Sequence, residues 1–78
     1  MHPRRRIEDS FPVALKTFGQ QVYCKRMALK MSQEMFSAKV GITRAYLQRI
    51  EAGTVNPSLK IVRQIKKVCA CSWDDLLG

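Results

Sequence analysis

Two glycines, each set nine or ten residues after an oxygen-bearing cap, constrain this chain more than any other feature. Ser32-Gln33-Glu34-Met35 has the form of a helix start. The Ser32 hydroxyl can accept from the amide of residue 34 or 35, and Glu34 suits the positive end of the helix dipole. Met35, Phe36 and Val40 follow at helical spacing, and Gly41 stops the run. Glycine there allows the left-handed conformation that ends a helix and turns the chain sharply. Ile42 is the apolar plug of the turn. Thr43 then caps a second short helix from Arg44 to about Ala52, ended by Gly53. On its wheel Tyr46, Leu47 and Ile50 point one way, while Arg44, Ala45, Gln48 and Arg49 point the other.

The flanks read the same way. Leu15, Phe18, Val22 and Leu29 recur at helical spacings, with Pro12 suited to a first turn and Ser10 near it as a cap. They predict a helix over about 13–30, weakened slightly by Gly19 inside it. Residues 1–12 lack apolar periodicity and read as a flexible basic arm. Asn56-Pro57 reads as a cap and first residue of a helix over about 58–69, its stripe Leu59, Val62, Ile65 and Cys69, its wet face Lys60, Arg63, Gln64 and Lys67. Ser72 caps a last helix over 73–77, with Asp74 and Asp75 in its first turn. No β-alternation occurs, so the expected fold is all-α with five short helices.

With 78 residues the chain is one domain with a small core, too small for an elaborate enclosed active site. The formal charge is +8 and is uneven: residues 16–67 hold eleven Lys and Arg against Glu34 and Glu51, whereas residues 68–78 carry only Asp74 and Asp75. A globular region this basic suggests a polyanion partner, with a merely soluble basic surface as the bland alternative. The longest uncharged runs are eight residues, far short of a membrane span. Glu8 and Asp9 after the basic start argue against a signal peptide, so a cytoplasmic location and no membrane partner are expected. Cys24, Cys69 and Cys71, with His2 the sole histidine, are too few and too badly spaced for zinc. No cofactor or metal is expected, and the three cysteines read as small core hydrophobes.

Two short helices joined by a tight Gly-Ile turn follow the plan of a DNA-binding helix-turn-helix. The stretch Arg26, Ser32-Gln33-Glu34, Val40-Gly41-Ile42-Thr43, Leu47-x-x-Ile50-Glu51-x-Gly53, Asn56-Pro57-Ser58-Leu59 and Trp73-x-x-Leu76 resembles the Xre/Cro family of phage repressors and bacterial regulators, over roughly residues 18–77. The resemblance implies a compact five-helix, lambda-repressor-like DNA-binding domain over 13–78. It implies that Arg44, Ala45, Gln48 and Arg49 face the major groove. Arg44 leads, because a guanidinium bonds bidentately to guanine; Gln48 suits adenine and Ala45 a thymine methyl. Arg49 either reads a base or bonds phosphate. Gln33 at the second helix start is implied to grip the DNA backbone and brace the recognition helix. Thr43, Tyr46, Thr54 and Asn56 are placed for further backbone contacts, with Tyr46 equally suited to the core edge. Arg26 and Glu51 match a pair that forms a structural salt bridge in the family.

The chain also departs from the family pattern. Lys25 stands where leucine is common, Lys30 where glycine is common, Phe36-Ser37 for Leu-Ala, Lys66 for alanine, and Cys69-Ala70-Cys71 for Leu-Gly-Val. Lys66 must snorkel out or meet an acid. Met27 and Leu29 fall at usually polar positions and are a candidate partner surface.

The leading function is a sequence-specific double-stranded DNA-binding regulator acting as a homodimer on a palindromic operator. A Cro-like repressor, a restriction–modification controller and an antitoxin-type regulator all fit. Trp73, Leu76 and Leu77 are the candidate dimer surface, with core closure as the rival role for Trp73. The Arg4–Arg6 arm either reaches DNA or is a disordered tail. This length leaves no room for an inducer-binding domain, so no small-molecule ligand is expected. The rival class is a protein-interaction adaptor, which would present an apolar or acidic face in place of two arginines and a glutamine. An enzyme is excluded by the lack of a central histidine, paired acids or a phosphate loop.

Overall fold

The computed structural model describes residues 7–77, with side chains from residue 14 onward. Five helices follow one another: α1 (Ile7–Ala28), α2 (Gln33–Val40), α3 (Arg44–Ala52), α4 (Leu59–Cys69) and α5 (Trp73–Leu77). No strand occurs among the described residues, and no helix there is long and apolar enough to cross a membrane. α1 packs chiefly against α3 and also against α5 and α4, while α2 lies against α3 and α4.

The helix ends from the C-terminus of α1 to the N-terminus of α5 have local chemical causes. Ser32 accepts the Met35 amide at 3.1 Å, Thr43 that of Tyr46 at 3.0 Å, Ser58 that of Ile61 at 3.3 Å and Ser72 that of Asp75 at 3.1 Å. Gly41 and Gly53 close α2 and α3 in the left-handed region, at φ 90° and 75°. Past Gly53 the Thr54 amide bonds to the Arg49 carbonyl at 3.0 Å, satisfying an acceptor the helix leaves open. α1 and α4 end in the same turn on non-glycine residues. Lys30 has φ 57° and Ala70 φ 52°. The Lys30 amide meets Met27 O at 2.9 Å and the Met31 amide Arg26 O at 3.3 Å.

Three expected boundaries shift. α1 begins at Ile7, not 13, so Pro12 lies inside the helix and residues 7–12 are not an arm. Residues 1–6, including Arg4–Arg6, lie outside the described residues. α1 also ends two residues early, because Lys30 turns left-handed. α4 starts at Leu59 with Ser58 as its cap, and Asn56-Pro57 stays in the preceding loop.

The core consists of Phe18, Val22, Phe36, Val40, Leu47, Ile50, Ile65 and Leu76. Leu76 is fully buried there, which removes it from any partner surface. Leu29, Met35 and Leu59, expected in apolar stripes, are exposed. Buried Ser37 satisfies its hydroxyl by donating to Glu34 O at 3.1 Å. Cys69 and Cys71 are half-buried against the core, but Cys24 is exposed, correcting its assignment as a core residue. Lys66 meets neither acid nor open water alone: its ammonium lies 5.2 Å from the Trp73 ring centre.

Gly19 does more than weaken a helix. A Cβ built there would lie 2.4 Å from Ile50 O and 2.7 Å from Glu51 O, so α1 and α3 approach closely only because position 19 has no side chain. Gly19→Ala should therefore lower unfolding stability by about 1–3 kcal/mol, as overpacking does, measured by urea denaturation. Ala70→Gly should act in reverse, raising stability by about 1 kcal/mol by relieving the left-handed strain of an L-residue. The Cys69 thiol gives a pH signature. Burial, reinforced by neighbouring Cys71, pushes its pKa from 9.0 up to about 11. The folded state favours the protonated thiol, so this contribution is complete below pH 9.0 and is lost as pH rises to about 11. A Cys69→Ala variant should lose less stability across that window in pH-dependent melts.

Candidate nucleic-acid interface

The interface is built on α3, whose outer face is set by its inner one. Leu47 and Ile50 are fully buried and Tyr46 is half-buried against the core. Their spacing turns Arg44, Ala45, Gln48 and Arg49 outward, and all four are exposed. At about 1.5 Å per residue α3 is roughly 13 Å long. That matches a major groove about 12 Å wide.

A polar network sets the angle of that face. The Arg26 guanidinium on α1 donates from Nε to Glu51 Oε2 at 2.7 Å and from Nη2 to Oε1 at 3.1 Å. Its Nη1 donates to Met31 O at 2.9 Å, and its plane lies 5.3 Å from the Tyr23 ring centre. Both charged side chains are more than nine-tenths buried. The hydrogen bond that Arg26 donates to Glu51 raises its pKa, burial opposes the rise, and the carboxylate's charge adds to it. Gln33, the first residue of α2, donates to Glu51 Oε1 at 3.1 Å and accepts from Gln48 Nε2 at 3.2 Å. Gln33 therefore links the buried pair to an exposed side chain of α3.

Arg26, Ser32, Gln33, Glu34 and Arg44 line one open cleft of about 470 Å³ beside the recognition face. Arg44 and the N-terminus of α2 thus share a surface, where free amides favour an anion. Thr43 and Thr54 are exposed but also shape the backbone. Thr43 caps α3, and Thr54 Oγ1 donates to Arg49 O at 3.2 Å. Asn56 lies elsewhere, lining an apolar groove with Leu15, Phe18, Pro57, Val62 and Leu77. Leu77 and Trp73 are both exposed, but Trp73 lines a different groove, with Arg63, Gln64, Lys66 and Lys67. The exposed patch of Tyr23, Met27 and Leu29 at the end of α1 escaped full notice in the sequence, since only Met27 and Leu29 occupy unusual positions.

The helix-turn-helix family model matches residues 25–76, two thirds of the chain. The chain belongs to the helix-turn-helix family, in its Xre-like branch. The match covers the four helices after α1 and the last turn of α1 that carries Arg26. The fold resembles the crystal structure of the restriction-modification controller protein C.AhdI from Aeromonas hydrophila, with a TM-score of 0.77 and 28% identity over 82% of this chain and 97% of that one. A sequence relative is the HTH-type transcriptional regulator y4dL of Sinorhizobium fredii, itself uncharacterized. It is 45% identical over 40 residues, 51% of this chain. That alignment takes in only 20% of y4dL.

Within this helix-turn-helix protein, Glu51 has a structural task. Glu51→Ala leaves a buried guanidinium unpaired and releases Gln33. It should cost about 3–5 kcal/mol of stability, as broken buried pairs do, measured by urea denaturation. A variant as stable as the wild type, but with altered base preference, would make Glu51 a reader instead.

Proposed function

We propose that the chain is a sequence-specific double-stranded DNA-binding transcriptional regulator, not an enzyme. The observation that carries this reading is the exposed row Arg44, Ala45, Gln48 and Arg49 on α3, braced through Gln33 by a buried ion pair. A bracing network of this kind lowers the ordering cost of contact, because the side chain is oriented before DNA arrives. One Gln48 N–H is held by Gln33, which leaves its oxygen and second N–H directed outward for adenine. Arg44 reads guanine, Ala45 meets a thymine methyl, and Arg49 reads a base or holds phosphate. Gln33, Thr43 and Tyr46 contact the DNA backbone, while Thr54 contributes through the end of α3. Asn56 fits the DNA backbone less well than the groove it lines.

The regulator acts as a homodimer on a palindrome, with half-sites about one DNA turn apart. The surface proposed for dimerisation is Leu77 with the apolar groove it lines, extended by exposed Leu59; buried Leu76 is left out, and so is Trp73, which lines a separate cationic groove. C.AhdI is by its title a restriction-modification controller, and the same role is the subtype the fold favours here. An adaptor reading is less favoured, because the α3 face is cationic and polar.

Binding to a genomic DNA library at graded salt tests the reading. For a dimer neutralising roughly eight phosphates, log K should fall against log salt with a slope of about −7. A flat response with no enriched palindrome would refute it. Arg44→Ala should lose about 1–3 kcal/mol of discrimination at one base pair per half-site. Uniform weakening across all sequences would make Arg44 a phosphate ligand. Leu77→Asp should shift sedimentation from dimer to monomer, and an unchanged dimer would move the interface elsewhere.

A further inference from the structure

A second cationic surface lies away from the recognition helix. Lys60, Arg63 and Lys67 recur at i, i+3 and i+7 along α4, and all are exposed. Lys39, at the far end of α2 from Gln33, joins them across a shallow groove of about 280 Å³ lined also by Val40, Gln64, Lys67 and Val68. On the other side of the stripe Arg63, Gln64, Lys66, Lys67 and Trp73 line an open groove of about 310 Å³. Lys66 is held there over the indole.

This surface is distinct from the first. α3 packs on α1 and α2, and α4 packs on α2 and α1, with no substantial contact between α3 and α4. Gln33 and Lys39 mark opposite ends of α2, whose eight residues span about 12 Å. The recognition network engages the first end and the cationic groove the second. The acidic groups nearest by sequence and packing are exposed Asp74 and Asp75 at the start of α5 and Glu34 in the first turn of α2. None forms an ion pair with the stripe among the described residues.

We infer that this stripe is a sequence-independent binding site for the phosphate backbone of a second DNA segment, so that the bound regulator can join two duplexes. The inference rests on the DNA-binding reading above. Charge complementarity carries it: Lys60 to Lys67 spans about 10 Å of helix axis, and one DNA strand presents a phosphate every 3.4 Å or so along its axis, about three phosphates for three cations. The stripe's cations, Arg63 among them, meet phosphate oxygens rather than base edges in this arrangement, so contact there adds affinity without sequence preference.

The test uses the full chain and two duplexes bearing different fluorophores, with energy transfer reporting their joining. The wild type should give transfer. Lys39→Gln with Arg63→Gln and Lys67→Gln should lower joining about tenfold or more, while affinity for a single duplex falls no more than about threefold. Arg44→Ala is the converse, keeping joining and losing site preference. Circular dichroism melts check that these surface variants fold. A wild type that binds one duplex but never joins two overturns the inference and leaves the recognition reading intact. A triple variant that joins duplexes as well as the wild type does the same. Parallel loss of single-duplex binding overturns it by assigning the stripe to the recognition surface, and so does competition by polyglutamate as effective as that by DNA. Failure of the wild type to bind any duplex removes the DNA-binding reading itself.

Discussion

The contact between Arg26 and Glu51 governs the geometry of this molecule. It joins the end of α1 to the end of α3, and through Gln33 it reaches the start of α2. Removing two charges from water is costly, and the cost is offset only when every donor and acceptor finds a partner. Here each of the three guanidinium nitrogens finds an acceptor, in the two carboxylate oxygens and the Met31 carbonyl. Such a pair tolerates little rotation, so it acts as a register pin more than as a source of stability. Hydrophobic burial alone would let short helices slide, since it has no direction. The pin fixes α3, and with it the direction of Arg44 and Gln48.

Gly19 supplies the second half of this constraint. The Glu51 backbone lies against α1 at Gly19, and about two turns further along the same helix the Glu51 side chain reaches Arg26. Close backbone approach and the ion pair therefore depend on each other. A bulkier residue at 19 would push α3 outward and lengthen the bonds of the pair. The left-handed Lys30 and Ala70 are tolerated because other parts of the structure determine the turns they occupy.

Local chemistry was legible in the sequence, and tertiary chemistry less so. Ser32, Thr43, Ser72, Gly41 and Gly53 declare helix ends, since each needs only its neighbours to act. Lys30 and Ala70 perform the same turn without the residue type that advertises it. Asn56 and Ser58 are both good caps, and nothing local separates them; Ser58 is the one used. Pro12 reads as a helix start by residue type, yet α1 begins earlier. Gly19 reads as a defect until α3 is placed beside it. In α5, five residues are too few for periodicity to say which leucine turns inward, and Leu76 takes the core while Leu77 stays out. The outward face of α3 was legible, because its inward residues alternate at a clear helical spacing. The brace from Gln33 to Gln48 was reachable only through the family resemblance, since it spans 15 residues.

Three groups within the positive charge obey different physics. Arg26 is internal and contributes almost nothing to the outer field, because Glu51 neutralises it at contact distance. Arg44 and Arg49 stand on a face whose orientation is pinned, so their charge is directional. Among the described residues the α4 stripe is neither paired nor pinned, apart from Lys66 over Trp73. Unpaired like charges at one-turn spacing repel each other and weaken the helix that bears them. α4 carries that cost while its opposite side anchors Ile65 in the core. A surface needed only for solubility would intersperse acids and avoid the repulsion. Its concentration on one helix, beyond the reach of the recognition network, is what a polyanion partner would require and what solubility alone would not.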